Sequence, residues 1–253
     1  MEELFTRHSG LIDMDKLAQL RVVIVGCGGI GSHTALALAR MGVQNLTIID
    51  DDRVSMLNVS SQGFDLDDVG LHKVDAVRNK IMRAVRTIPI CYKFRVEDTE
   101  EGRKDVTKAL SSHGRAVYDG FDVCIMAVDS MKARKDIFNI FAGIENESLI
   151  INPSMGGEYL TIDTYECKHD TIYNIIKEFN QAWFSDEEGV QDTCTTKATI
   201  YTTLMISSLI CKIVKDYVEE KPIVKSMAYD IAENAPAFIF DSEGNDLLGG
   251  DDE

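Results

Sequence analysis

The sequence predicts an α/β fold in which a mostly parallel sheet carries helices on both faces and gains antiparallel strands in its C-terminal half. Three observations lead there. Runs of β-branched residues alternate with helical apolar patterns from residue 21 to residue 143, and such alternation demands crossover helices and parallel strands. Glycines at 26, 28, 29 and 31 crowd the first strand-to-helix junction, where the backbone must approach a neighbour or a ligand closely. Within residues 156–166 apolar and polar residues alternate, the period of strands with one buried face.

Each element follows from its local pattern. "RVVIVG" (21–26) is a short β-branched run and reads as a buried strand, and residues 29–41 keep helical spacing after it. "NLTIID" (45–50) is a second strand, and "KVDAVRNKIMRAV" (73–85) a helix with apolar residues three and four apart. A strand at 90–96, a polar helix near 99–112, a strand at 121–128 and a helix at 130–143 continue the alternation. "LIINPS" (149–154) closes the parallel part, and "GGEYLTIDTYE" (156–166) opens the antiparallel addition. Residues 170–180 are helical, 184–196 a polar loop, and 197–217 a long apolar helix. Short strands at 223–231 and 237–241 end a single domain, 1–241, followed by an acidic tail, 242–253, whose composition predicts disorder.

Composition narrows the function. Lys and Arg number 26 against 42 Asp and Glu, a formal charge of -16, which excludes nucleic acid and anionic membranes as principal partners. No apolar run reaches the roughly 18 residues of a membrane helix, and the N-terminus lacks a signal-peptide pattern, so a cytoplasmic protein is expected. The six cysteines, at 27, 91, 124, 167, 194 and 211, never form C-x-x-C, which predicts reduced thiols and no zinc.

The glycine loop between strand and helix is built for phosphate: helix N-terminal N–H groups are free there, and glycine lets an anion come near. Asp50, at the end of the next strand, can accept from ribose hydroxyls. These Rossmann-like features fit NAD, FAD and ATP equally. Asn58, Gln62, Lys73, Asp129 and Arg134 then fall beyond strand ends on the same side of the sheet. A base, amides and a separate carboxylate point to a triphosphate with Mg²⁺, because hydride transfer needs no such charge neutralisation.

In order and spacing, "GCGGIGS", "IIDDDRVSMLNVSSQ", "GLHK" and "DSMKAR" resemble the ThiF/MoeB/HesA branch of the ubiquitin-activating-enzyme superfamily, over about residues 4–231. The resemblance implies an ATP-dependent adenylyltransferase that converts a C-terminal carboxylate to acyl-AMP and releases pyrophosphate. It implies that Gly26, Gly28, Gly29 and Gly31 cradle the nucleotide and that Asp50 holds the ribose. Asp52, Asn58 and Gln62 belong to the same pocket, Lys73 binds phosphate, and Asp129 holds Mg²⁺. It further implies a homodimer in which Arg7 reaches the neighbouring subunit's site; read without the family, Arg7 is an exposed charge on a terminus. The implied partner is a ubiquitin-like or sulfur-carrier protein, or a peptide, ending in glycine.

The resemblance departs at one position. Where the family reads N-x-x-R-Q, this chain has Asn58-Val59-Ser60-Ser61-Gln62, and a serine hydroxyl replaces a planar cation with five donors. Either Arg53 or Arg7 substitutes, or ATP turnover is slow or absent. Cys194 stands before the long helix, where relatives carry a cysteine able to form a thioester; a structural thiol is the alternative. The family's two C-x-x-C pairs are absent, so the expected cofactors are ATP and Mg²⁺ without zinc. "LLGGDDE" at the terminus resembles the diglycine ends such enzymes activate, against the simpler reading of an acidic tail. Two other functions remain open: a catalytically weak scaffold subunit of a heterodimeric activating enzyme, supported by Ser61, and an NAD-dependent oxidoreductase, supported only by the glycine loop and Asp50.

Overall fold

The computed structural model describes residues 2–8, 10–111, 120–144, 146–182, 198–241 and 243–248. Eight strands form one sheet: β1 (Arg21–Val25), β2 (Asn45–Ile49), β3 (Ile90–Tyr92), β4 (Val123–Met126), β5 (Ser148–Gly156), β6 (Tyr159–Cys167), β7 (Ser226–Asp230) and β8 (Ala235–Phe240). Their spatial order is β3-β2-β1-β4-β5-β6-β7-β8. The first five pair in parallel, and β6, β7 and β8 are added antiparallel.

The seven α-helices of the described residues are α1 (Met14–Gln19), α2 (Gly29–Met41), α3 (Lys73–Val85), α4 (Glu100–Ser111), α5 (Met131–Ala142), α6 (Ile172–Ala182) and α7 (Ile200–Val218). Successive strand residues point to opposite faces, and the strands divide their side chains between two cores accordingly. Val22 and Ile24 pack with α2, α3 and α7, while Val23 and Val25 pack with α4, α5 and α6. Ile24, Ile48 and Ile125 are fully buried, and burial of each contributes about 1.5–3 kcal/mol. On the second face Phe138 of α5 stacks on Phe179 of α6 with centroids 3.7 Å apart, and Tyr165 of β6 meets Phe138 edge-on at 5.1 Å. These contacts fix α6 to the sheet.

The chain leaves β1 toward β2 and β3, then returns to place β4 on the other side of β1. Loops after β1 and β4 therefore diverge, which opens a crevice at the carboxyl ends of the strands. This topology decides where a ligand can bind.

Two strand ranges are corrected. The strand expected at 90–96 ends at Tyr92, whose carbonyl takes the Asp50 N–H at 3.1 Å; residues 94–96 leave the ladder and border the crevice instead. With β2 ending at Ile49, no neighbouring backbone remains for them to pair with. The strand expected at 223–231 contracts to Ser226–Asp230. In the acidic tail the Asp241 N–H donates to the Asn245 carbonyl at 3.0 Å, and the Leu247 N–H to the Ile239 carbonyl at 2.7 Å. The 184–196 loop, Cys194, Gly249 and Gly250 lie outside the described residues. Among the described residues no helix is long and apolar enough to cross a membrane.

Candidate active site

The β1–α2 junction is tight for steric reasons. Gly26 holds φ +96°, and a Cβ there would collide with the Ala127 carbonyl, so glycine keeps the ends of β1 and β4 in contact. A Cβ on Gly31 would fall on the Gly26 carbonyl oxygen, which makes Gly31 a packing residue in the first turn of the helix. Gly28 is the N-cap of α2 and offers no side-chain cap, so the first-turn N–H groups are left to a ligand or solvent.

Asp50 follows β2 and braces this loop. Its Oδ2 accepts from the Cys27 N–H at 2.6 Å and its Oδ1 from the Asp52 N–H at 2.8 Å. Burial raises its pKa, while the Cys27 N–H, Lys73 and the Asp52 N–H pull it back down. The carboxylate thus both organises the loop and keeps acceptor capacity at the crevice.

Lys73 begins α3 and is 8% exposed. Its N–H donates to the Asp52 carbonyl at 3.0 Å and its Nζ to Asp52 Oδ2 at 2.7 Å, so backbone and side chain grip one residue. Burial lowers the Lys73 pKa, yet the Asp52 hydrogen bond and the Asp50 and Asp52 charges outweigh it and raise the net value above 10.5. Asn58 closes a 3-10 turn (Met56–Asn58), accepting at Oδ1 from the Ser55 N–H at 2.8 Å. Gln62 Oε1 is buried without a hydrogen-bond partner among the described residues, an acceptor that a ligand N–H or O–H can satisfy.

A cavity of about 440 Å³ unites these elements. Gly26, Gly28, Gly29, Asp50, Asp52, Asn58, Gln62, Lys73 and Asp129 all line it. Asp129 is exposed, between β4 and the N-cap Ser130 of α5, whose Oγ accepts from the Ala133 N–H at 3.1 Å. Gly31, expected in the nucleotide cradle, packs behind the loop; the exposed Arg7, expected at a neighbouring subunit's site, lies in a 3-10 helix (Glu2–His8) outside this lining. Ser61 lines the cavity, but Arg53 does not substitute there, since its Nη1 donates to the Gly70 carbonyl at 2.7 Å and it is absent from the lining. Sequence reasoning missed Arg95, which lines the cavity because the chain leaves the ladder after Tyr92; only the length of β2 could have signalled that.

The family model described as "ThiF family" matches residues 3–238. This chain belongs to the ThiF family. Among curated relatives, the ThiF-family chain is 28% identical over 155 residues to the NEDD8-activating enzyme E1 catalytic subunit of Arabidopsis thaliana, covering 56% of this chain and 31% of the relative. It is 30% identical over 126 residues to ubiquitin-like modifier-activating enzyme 5 of Drosophila grimshawi, covering 49% and 31%. The matched stretches span about a third of these relatives' length. Among solved structures, selenomethionine PaaA superposes with a TM-score of 0.70 at 16% identity, covering 93% of this chain and 72% of that one. MccB of E. coli with ATP gives 0.61 at 19% identity, covering 90% and 65%. At these identities the structural likenesses establish the shared ThiF-family fold.

Proposed function

We propose that this chain activates a carboxylate with ATP: a carboxylate oxygen attacks the α-phosphorus, an O–P bond forms, and pyrophosphate leaves to give an acyl-AMP. The observation that carries the reading is the single cavity at the β1/β4 switch point, which gathers the glycine loop, Asp50, Lys73 and Asp129. Relatives named for activating NEDD8 and ubiquitin-like modifiers, and a structural neighbour solved with ATP, support it.

The residues fit a magnesium-bound triphosphate. The cavity is lined by four carboxylates, Asp50, Asp51, Asp52 and Asp129, against three cations, Lys73, Arg95 and Arg134. A tetra-anionic triphosphate would be repelled without a divalent cation, and carboxylate oxygens are the hard donors Mg²⁺ prefers. Asp129, exposed at the cavity, would hold the ion, which supplies charge neutralisation at the phosphates. The α2 N-terminus binds phosphate oxygens through backbone N–H groups. Asp50 accepts from the ribose. Lys73, kept charged by Asp50 and Asp52, stabilises the negative charge that builds as pyrophosphate departs.

The acyl substrate of this reading is a ubiquitin-like protein or a peptide with a C-terminal glycine; a neighbour solved with MccA supports the peptide form. Arg7, exposed and outside its own subunit's cavity, serves the partner site in a homodimer. Cys194 is the candidate thioester nucleophile after adenylation. Reduced cytoplasm suits the five free cysteines of the described residues.

The test is ATP–pyrophosphate exchange with Mg²⁺ and candidate partners ending in Gly-Gly. Lys73→Ala should lower exchange about 10²–10³-fold, the scale of losing one transition-state donor. Equal exchange by the variant rejects the reading. Ser61 favours a second reading, a scaffold subunit with weak turnover: ATP binding without exchange by the chain alone, together with exchange when it co-purifies with a homologue, would select it.

A further inference from the structure

Arg134 is 6% exposed and has its guanidinium where the parallel ladder stops. The β4–β5 pairing ends at Ile125↔Ile151, after which β4 terminates and β5 runs on to Gly156. Past that point the guanidinium replaces the ladder. Nη2 donates to the Val128 carbonyl at 2.6 Å, and Nη1 to Asn152 Oδ1 at 2.5 Å and the Pro153 carbonyl at 2.8 Å, with a longer approach of 3.4 Å to the Met126 carbonyl. Val128 immediately precedes Asp129, and Ser130, the α5 N-cap, immediately follows it. Asp129 is therefore held by anchors on both sides while its own side chain stays exposed at the cavity. Beyond Asn152 and Pro153, Ser154 and Met155 of β5 line the same cavity.

We propose that Arg134 is a positioning residue: it sets the Asp129 carboxylate for the magnesium-bound triphosphate and ties that carboxylate to the β5 wall. The inference rests on the proposed ATP-dependent reaction. Arg134 also lines the cavity, but its guanidinium is engaged by backbone carbonyls and Asn152, and the role assigned to it runs through the Val128 carbonyl. An arginine suits the post because its planar fork reaches acceptors on two strands at once, and a lysine ammonium cannot span the same set with fixed geometry.

The experiment is calorimetric titration of the full chain with ATP, with Mg²⁺ and then with EDTA, for wild type, Arg134→Lys, Asn152→Ala, Asp129→Ala and Arg134→Lys/Asp129→Ala. Wild type should bind ATP more tightly with Mg²⁺. Arg134→Lys keeps the positive charge at the cavity and should lose about tenfold of that metal-dependent gain, the scale at which outer partners of a metal ligand act, a loss larger than any change of ATP affinity in EDTA. In the Asp129→Ala background Arg134→Lys should have no further effect, since the two act as one unit. Asn152→Ala removes one acceptor and leaves the guanidinium in place; it should lose part of the same gain, and it decides the matter if Arg134→Lys does not fold. Retention of the full magnesium gain by the variants overturns the inference, as does an equal loss with and without metal, which marks a merely structural arginine. Failure of wild type to bind ATP with Mg²⁺ overturns the proposed function, and the inference with it.

Discussion

At the scale of single residues, charge placement does most of the work. Lys73 is the instructive case, because burial alone would make it a poor cation. The neighbouring Asp50 and Asp52 reverse that and raise its pKa above 10.5. For a lysine with a raised folded pKa, the stability it contributes is fully present below 10.5 and is lost only as pH climbs through the higher folded value. The exchange rate should accordingly show no Lys73 titration between pH 7 and pH 10, as about half a pH unit below 10.5 already leaves most of the group protonated; a lysine-dependent inflection inside that range would contradict the pairing. The thiols show the opposite use of burial. It pushes Cys91 and Cys167 up to about 11 and Cys211 to about 12, and Cys27 and Cys124 well above the ordinary 9.0. Thiolate is the reactive form, so alkylation at pH 7.5 followed by peptide mapping should leave these five unlabelled until the protein is unfolded. Fast labelling of Cys27 would mean that the glycine loop opens.

The controlling element is the β1–α2 unit. Its sequence, a β-branched run followed by glycines, was legible as a phosphate loop, yet the glycines divide their labour in a way only packing shows. Gly28 and Gly29 face the cavity, Gly26 meets the end of β4, and Gly31 meets Gly26. α7 lies against the same unit: a Cβ on Gly29 would come within 2.8 Å of Thr203 Cγ2, and Thr34 Oγ1 on α2 donates to Ser207 Oγ on α7 at 3.1 Å. Gly31→Ala should therefore cost about 1–3 kcal/mol in urea denaturation, the usual penalty of overpacking, and weaken ATP binding although the residue touches no ligand. Wild-type stability with wild-type ATP affinity in that variant would show that the loop is slack.

Across the whole molecule, sheet order separates the chemistry from the tail. The cavity sits at the ends of β1, β2 and β4 with β5 as one wall, and β6 and β7 lie between β5 and the edge strand β8. The tail hydrogen-bonds to Asp241 through Asn245 and Gly244, and to Ile239 of β8 through Leu247. Removing residues 242–253 should cost about 3 kcal/mol, three backbone hydrogen bonds at roughly 1 kcal/mol each with the Asp241 carboxylate returned to water, and leave the ATP dissociation constant unchanged. Tighter ATP binding after truncation would instead favour a tail that visits the active site.

Fold class, family and most of the polar side chains of the cavity follow from the sequence alone, because period, glycine spacing and charge at strand ends are local properties that survive in one dimension. Asp50, Asn58, Lys73 and Asp129 were readable for that reason. It takes the packed chain to show that Gly31 does not face the cavity, that Arg95 enters it while Arg53 turns away, and that Arg134 joins the segment after β4 to β5 behind Asp129. Each of those depends on where a ladder ends or which backbone lies opposite, and contacts between residues distant along the chain leave no periodic trace in it.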